Sequence, residues 1–513
     1  MSLSLDQLLT PIVIVIFALA IGVLVWGYQR AKPFGKLGRL AWWQSVVLMG
    51  PWLLYFVLFA LGLSLSLPAV LLLLLVSAGI YIYLGRQLRA AGQDEILRQK
   101  AAQRLESLNN PSLSVNGEPE AKANGQLRSD RLTVTQDPDA LPIPAEDLAV
   151  IKGIFNIDSF FATETIAYQE GAIFKGNLRT EADDAFTKLS GKLKDLMGEK
   201  YRLFLVEGSE DRPVVVILPS SNDPPPSSLA QKNLSVVLMV ATVVTTLEAS
   251  AALLGFDLAD DWHRYGEALP LALGVAVILL AHELGHLWQA RKWNIRLSWP
   301  FFLPNWQIGS FGAITRFESL LPNRNTLFDL AIAGPALGGL VSLIFLVIGL
   351  LLSGDGSLFQ VPGQFFQGSL LVGAIAKLVL GETLQNNLIS LHPLTILGWL
   401  GLVINALNLL PAGQLDGGRI VQAIYGRKTA RRTTIATLIL LGGVALFNPA
   451  NPIPLYWAIV VLFLQRQLER PSLNELTEPD DTRAGLGLLA LLLMLLTLIP
   501  LSPNLAVRLG IGG

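Results

Sequence analysis

Runs of about 20 apolar residues recur along this chain, and they narrow its possible folds more than any other feature. A helix of that length crosses the ~30 Å hydrocarbon core of a bilayer. Candidate spans lie at Pro11–Tyr28, Val46–Leu63, Pro68–Leu84, Leu234–Gly255, Ala268–Ala290, Leu327–Leu352, Leu394–Pro411, Thr434–Phe447, Pro454–Leu464 and Ala484–Leu501. Of 513 residues, 52% are hydrophobic and only 15% charged, with a mean hydropathy of +0.51. Soluble domains carry about 25% charged residues, so the expected class is a polytopic α-helical membrane protein. We expect about nine spans plus a re-entrant segment. The first span lacks a basic leader and a small-residue cleavage site, so it reads as an anchor rather than a removed signal.

Between the third and fourth spans the composition turns polar. The stretch from Leu108 to Pro144 is rich in Asn, Pro, Ser and Gly without periodicity, which reads as a disordered linker. Residues 145–231 alternate as two paired strands, an amphipathic helix (EADDAFTKLSGKLKDLMGEK) and two further strands (YRLFLVEG, RPVVVILP). A small soluble α+β module is therefore expected there. The organisation is then 1–84, three spans; 85–144, helix and linker; 145–231, the module; 232–430, a membrane core; and 431–513, C-terminal membrane helices.

Two absences limit the chemistry. With no cysteine, disulfides, thiol nucleophiles, Cys-ligated zinc and iron–sulfur clusters are excluded together. A net charge of −1 speaks against nucleic acid as a partner. Basic residues in short loops set orientation: Arg30, Lys32, Lys36 and Arg39 after the first span place that loop, and with it the module, on the cytoplasmic or stromal side.

Two of only four histidines stand four apart in the fifth span, as His282-Glu283-Leu284-Gly285-His286. Four residues of helix bring both imidazoles to one face, where they can share an ion, with Glu283 beside them to take a proton from water. Two neutral imidazoles, one oxygen ligand and one open position make a zinc site. Ionisable groups inside a span are costly and need a partner or a task. The third ligand could be Glu318, Glu382 or Asp416. Asp416 is favoured because it follows the span at Leu394–Pro411 and precedes two glycines that permit close backbone approach. It reaches the histidine side only if the short apolar segment Phe365–Leu380 does not cross the bilayer, so that segment is read as re-entrant or peripheral. The interval Ile295–Phe317 carries Gly and Pro and alternates weakly. It reads as a membrane-embedded hairpin whose edge, through Gly309, Phe311 and Gly312, could hold an extended substrate as an added strand, or else as a connecting loop with Trp anchors. Gly334 and Gly338, four apart, read as a close-packing pair. His263 and His392 read as loop residues with structural roles.

At HELGH (282–286), AGPALGG (333–339) and NLLPAGQLDGG (408–418) the chain resembles the site-2 protease family of intramembrane zinc metalloproteases. GNLR (176–179) and NALNLLPAGQLDGGRI make it similar to the photosynthetic branch, comprising cyanobacterial homologues and the plastid type named for ethylene-dependent gravitropism deficiency and yellow-green leaves. The resemblance covers about residues 230–430. It implies a three-helix core with HExxH on the first helix and the LDG motif on the third. It also implies one Zn²⁺ held by His282, His286 and Asp416, with Glu283 as general base and Asn408 near substrate or the oxyanion. The implied substrate is a single-span transmembrane protein, cut within or near the lipid bilayer of a plasma, thylakoid or plastid membrane. Two other classes remain open: a cation transporter using the same cluster, and a non-catalytic zinc-binding membrane scaffold.

Overall fold

The structure, a computed structural model, describes residues 143–168, 170–208, 212–448, 451, 453–462 and 467–511, together with scattered positions between 21 and 87. The expected linker at Leu108–Pro144, apart from Ile143 and Pro144, and most of the first three spans lie outside the described residues. Two compact units are present, residues 1–136 with 229–233, and residues 137–228 with 234–513. In the first, the described positions are helical, with a 3₁₀ turn at Lys32–Phe34. Trp42 donates to the Leu24 carbonyl at 2.9 Å and Ser77 to that of Val47 at 2.6 Å.

The second unit opens with the α+β module. Helix α1 (Ala145–Gly153) precedes strands β1 (Phe160–Tyr168) and β2 (Gly171–Leu178), helix α2 (Ala182–Met197), and strands β3 (Tyr201–Glu207) and β4 (Pro213–Pro219). The sheet is antiparallel throughout, in the order β1-β2-β4-β3. Helix α2 buries Ala185, Leu189 and Leu193, one residue per turn. These pack over a core with Phe160, Phe174, Leu205 and Ile217, as a single apolar stripe on an amphipathic helix requires.

The membrane core follows: α3 (Leu229–Leu253), α4 (Tyr265–Lys292), the hairpin β5 (Phe301–Asn305) and β6 (Gly309–Ile314), and α5 (Arg324–Leu351). After these come β7 (Phe359–Val361), α6 (Leu370–Leu380), β8 (Ile389–Leu391), α7 (Pro393–Asn408) and α8 (Asp416–Phe447). Helices α9 (Ile453–Val460), α10 (Asp481–Leu498) and α11 (Pro503–Leu509) complete it. Among the described residues, α3, α4, α5, α8 and α10 are long and apolar enough to cross a membrane, and α7 is a shorter apolar helix.

Two expectations change at this level and a third, that Phe365–Leu380 does not cross, stands. The span placed at Thr434–Phe447 lies in the second of two helical stretches of α8, which meet at Gly426, where the backbone is not helical (φ 76°, ψ 175°). The segment Pro454–Leu464 is described as the eight-residue α9, with residues 463–466 outside the described set. The segment Phe365–Leu380 contains the 11-residue α6, about 16 Å long and so too short to cross.

Small residues let the core helices close up. Helix α5 lies between α4 and α7. A Cβ on Gly285 of α4 would fall 2.3 Å from the Ala333 carbonyl, and one on Gly398 of α7 would fall 2.2 Å from the Leu346 nitrogen. Backbone-to-backbone approach of this kind is how helices associate where no water drives them together. The hairpin packs against α4 and α7 on one side. On the other, α3 reaches it through Ser235, which donates to the Pro300 carbonyl, and Thr245, which donates to that of Gly309, both at 2.6 Å.

Candidate metal centre

His282 and His286 sit one turn apart on α4, both buried. Asp416, also buried, is the first residue of α8. The resemblance implied that the LDG motif lies on the third core helix. Instead α7 ends at Asn408, a tight turn through Pro411 and Gly413 (φ 52°) reverses the chain, and Asp416 opens the following helix. Pro411 cannot continue a helix. The turn closes because Gly417 lies under the Leu409 carbonyl, where a Cβ would meet oxygen at 1.8 Å.

The hydrogen bonds assign the imidazole tautomers. The Asn405 amide NH₂ donates to the Gly401 carbonyl at 2.8 Å. Its oxygen therefore faces Nδ1 of His282, also at 2.8 Å, and that nitrogen must carry the proton. Nδ1 of His286 lies 2.8 Å from the Leu330 carbonyl, which can only accept. Both Nε2 atoms are therefore unprotonated in the neutral rings, and both face inward.

They converge on the carboxylate. Nε2 to Nε2 is 3.1 Å, and Oδ2 of Asp416 lies 3.3 Å from His282 and 3.4 Å from His286. Three electron-pair donors at such range repel one another unless a cation lies among them. Donors held ~2.0 Å from a tetrahedral zinc stand about 3.3 Å apart, so the spacing fits the ion. These three are the metal-competent group found among the described residues. Gly334 of α5 faces the same point, and a Cβ there would lie 2.2 Å from Nε2 of His286. Gly338 faces the amide oxygen of Asn405 in the same way, at 2.6 Å.

Glu283 lies beside the trio, its Oε2 accepting from the Thr315 hydroxyl at 2.8 Å. Thr315 immediately follows β6, so the hairpin orients this carboxylate. The cleft between them, lined by Ile278, His282, Glu283, Phe302, Gly312, Ala313 and Asn405, among others, is too narrow to hold a water molecule.

The other expected site residues divide. Gly312 lines the cleft. Asn408 is committed to the hairpin, donating to the Phe311 carbonyl at 3.4 Å and the Ile404 carbonyl at 3.0 Å. The Phe311 side chain turns away from the cleft and stacks on Tyr456. Gly309 sits at the hairpin tip against Thr246 of α3. Glu318 accepts from the Ser227 backbone, and Glu382 is an exposed partner of Lys377. Neither joins the histidines. His263 is exposed and His392 caps α7.

Reading by motif missed Asn405, Thr315 and the Leu330 carbonyl. An amide in the middle of an apolar span was a signal for Asn405. Nothing in the sequence marked Thr315, which reaches Glu283 only through the hairpin.

Comparison with known proteins agrees with this geometry. The family model "Peptidase family M50" matches residues 270–448, and "EGY3 middle domain" matches residues 149–224, which is the α+β module. The probable zinc metalloprotease EGY2, chloroplastic, of Arabidopsis thaliana is 39% identical over 373 residues, 71% of this chain and 66% of that protein. The probable zinc metalloprotease EGY1, chloroplastic, of the same plant is 36% identical over 406 residues, 72% of this chain and 74% of that protein. The probable zinc metallopeptidase EGY3, chloroplastic, is 33% identical over 379 residues, 69% and 66% respectively. The chain thus spans 66% of the length of EGY2 and EGY3 and 74% of that of EGY1. No solved structure matches. By motif, by buried donor set and by relatedness over most of its length, the chain belongs to peptidase family M50, the site-2 protease family of zinc metalloproteases.

Proposed function

We propose that this chain is an intramembrane zinc endopeptidase acting on single-span transmembrane proteins. The observation that carries the reading is the triangle of Nε2, Nε2 and Oδ2 at 3.1, 3.3 and 3.4 Å. In it His282, His286 and Asp416 would hold one Zn²⁺, which when bound would supply Lewis acidity to a water and to the peptide carbonyl. Glu283, held by Thr315, takes the proton from water and passes it to the leaving amine.

Asn405 and the Leu330 carbonyl keep both imidazoles in the tautomer that presents Nε2. The hairpin accepts an unwound stretch of substrate along its edge beside Gly312 and Ala313, adding a strand and exposing a carbonyl that a helix would hide. Asn408 holds that hairpin in place from below. We place the enzyme in a plasma, thylakoid or plastid membrane of a photosynthetic cell, with the α+β module on the cytoplasmic or stromal side.

Replacing Glu283 with Gln tests this. Membranes of wild-type and Glu283→Gln cells are compared by proteomics, and zinc in the purified proteins is measured. Zinc retained, with full-length single-span proteins accumulating in the variant, supports the proposal. Zinc retained with every cleavage product still present refutes the enzyme and favours a scaffold or a cation carrier.

A further inference from the structure

Arg419 is a buried guanidinium with no part in the chemistry above, yet it touches three components of the centre. It lies one turn after Asp416 on α8, with Nη1 3.7 Å from Oδ1, the carboxylate oxygen other than the one near the imidazoles. Nη2 donates to the Thr315 carbonyl at 2.8 Å, and Thr315 is the residue whose hydroxyl holds Glu283. Nε donates to Oε2 of Glu469 at 3.1 Å, and the guanidinium lies 4.3 Å from the centre of the Phe317 ring.

Glu469 is itself fastened. The Gln422 amide reads its backbone on both sides, accepting from the N–H at 3.1 Å and donating to the carbonyl at 3.3 Å. Arg427 donates to the same carbonyl. The chain beyond runs extended between core and module. Leu473 donates to the Leu321 carbonyl at 2.8 Å, and its own carbonyl accepts from Leu205 of β3 at 2.7 Å.

Burying an ion pair is often no better for stability than apolar packing of the same volume, so stability alone does not account for Arg419 and Glu469. The planar fork of arginine can serve three directions at once, which a lysine ammonium at this position cannot. A carboxylate can bind an ion through one oxygen or two. A cation beside Oδ1 competes for the second.

We propose that Arg419 is a positioning residue of the metal centre, anchored by Glu469. It keeps Asp416 to one-oxygen ligation and fixes the strand end that aims Glu283. The inference rests on the metal reading above. It is tested on the full chain in detergent with Co²⁺ as the probe, comparing wild type, Arg419→Lys and the isosteric Glu469→Gln by visible absorption and chelator competition.

The wild type should show the intense absorption of four-coordinate Co²⁺. Both folded variants should show a weaker band, as the second oxygen of Asp416 joins the ion, and about 10- to 100-fold lower affinity. If Arg419→Lys does not fold, Glu469→Gln alone carries the test. A wild-type chain that takes up no Co²⁺ overturns the metal reading and this proposal with it. A wild-type chain that binds Co²⁺ while the folded variants match its spectrum and affinity overturns this proposal alone.

Discussion

Adding one methyl group at Gly334 should empty the metal centre. The new Cβ would lie 2.2 Å from Nε2, 2.6 Å from Cδ2 and 2.7 Å from Cε1 of His286. Moving from 2.2 Å to the 3.4 Å of ordinary contact is a displacement of about 1.2 Å. Ligand distances in a metal site hold to within about 0.2 Å, so a shift several times larger removes His286 as a ligand. The ring cannot simply swing aside, because its Nδ1 is tied to the Leu330 carbonyl at 2.8 Å and the residue is buried. Breaking that bond leaves a buried polar group unpaired, at about 1–3 kcal/mol, and overpacking adds about 1–3 kcal/mol more.

The control lies five residues along the same helix. Gly339 has nothing within 4 Å of a built Cβ, so Gly339→Ala should gain up to about 1 kcal/mol of helix propensity. Zinc content is read by mass spectrometry after dialysis against graded chelator, and thermal unfolding is followed in parallel. Gly334→Ala should lose zinc at chelator concentrations where wild type and Gly339→Ala keep it. Equal retention by all three would mean that the ion is not where the imidazoles converge.

Further outcomes follow from the same contacts. Asn405→Leu removes the acceptor that sets the His282 tautomer and should lower zinc affinity about 10- to 100-fold, measured by chelator competition. Thr315→Val keeps the shape but removes the donor to Glu283. A hydrogen bond to a charged group is worth about 1.5–3 kcal/mol, so turnover of a reporter substrate should fall roughly tenfold or more with zinc content unchanged. In the module, Lys200 and then Tyr201 hold the Asp147 carboxyl below its ordinary value by hydrogen bonding at 2.5 and 2.6 Å. Burial, then Asp147, pushes the Tyr201 hydroxyl up to about 12. A depressed acid stabilises the fold above its unfolded pKa, ~3.9, and loses that contribution as pH falls through the folded value. A raised tyrosine loses stability as pH climbs from ~10 toward 12. The protection of β3 amides relative to their intrinsic exchange rate at each pH should therefore be greatest between these limits, and Asp147→Asn should flatten the acid limb.

The local chemistry of this site was legible because it depends on spacing along one helix. Two histidines four apart share a face wherever the helix stands, and burial in an apolar span made them costly enough to demand an ion. The four strands and one helix of the α+β module were legible for a similar reason, since a period of two or of 3.6 reports which side meets the core. Boundaries were less legible where the end of an apolar run and the end of a helix differ. The apolar run at Thr434–Phe447 extends back as helix only to the break at Gly426, and a separate helical stretch opens at Asp416, whose polar Arg419 and Gln422 are paired inside the protein rather than left to solvent. The neighbours of Gly309 and Phe311 were not legible either. Alternation along a strand does not say which neighbour covers each face, and here α3 and α9 cover them.

By itself, then, the sequence determined that the chain is a membrane protein, that it carries a HExxH zinc-site motif, and that an aspartate past a later span could complete it. Each of these follows from short-range periodicity and from the cost of placing charge in hydrocarbon. Only the tertiary structure decided that Asp416 rather than Glu318 or Glu382 meets the imidazoles, that Asn405 and Leu330 orient them, and that Thr315 hydrogen-bonds Glu283 while Arg419 lies beside Asp416. Asn405 and His282 are 123 residues apart in the chain, and Asp416 stands further still from His282. They meet because small residues let α4, α5 and α7 approach backbone to backbone, and no periodicity in a single segment encodes which surface another segment will bring to it.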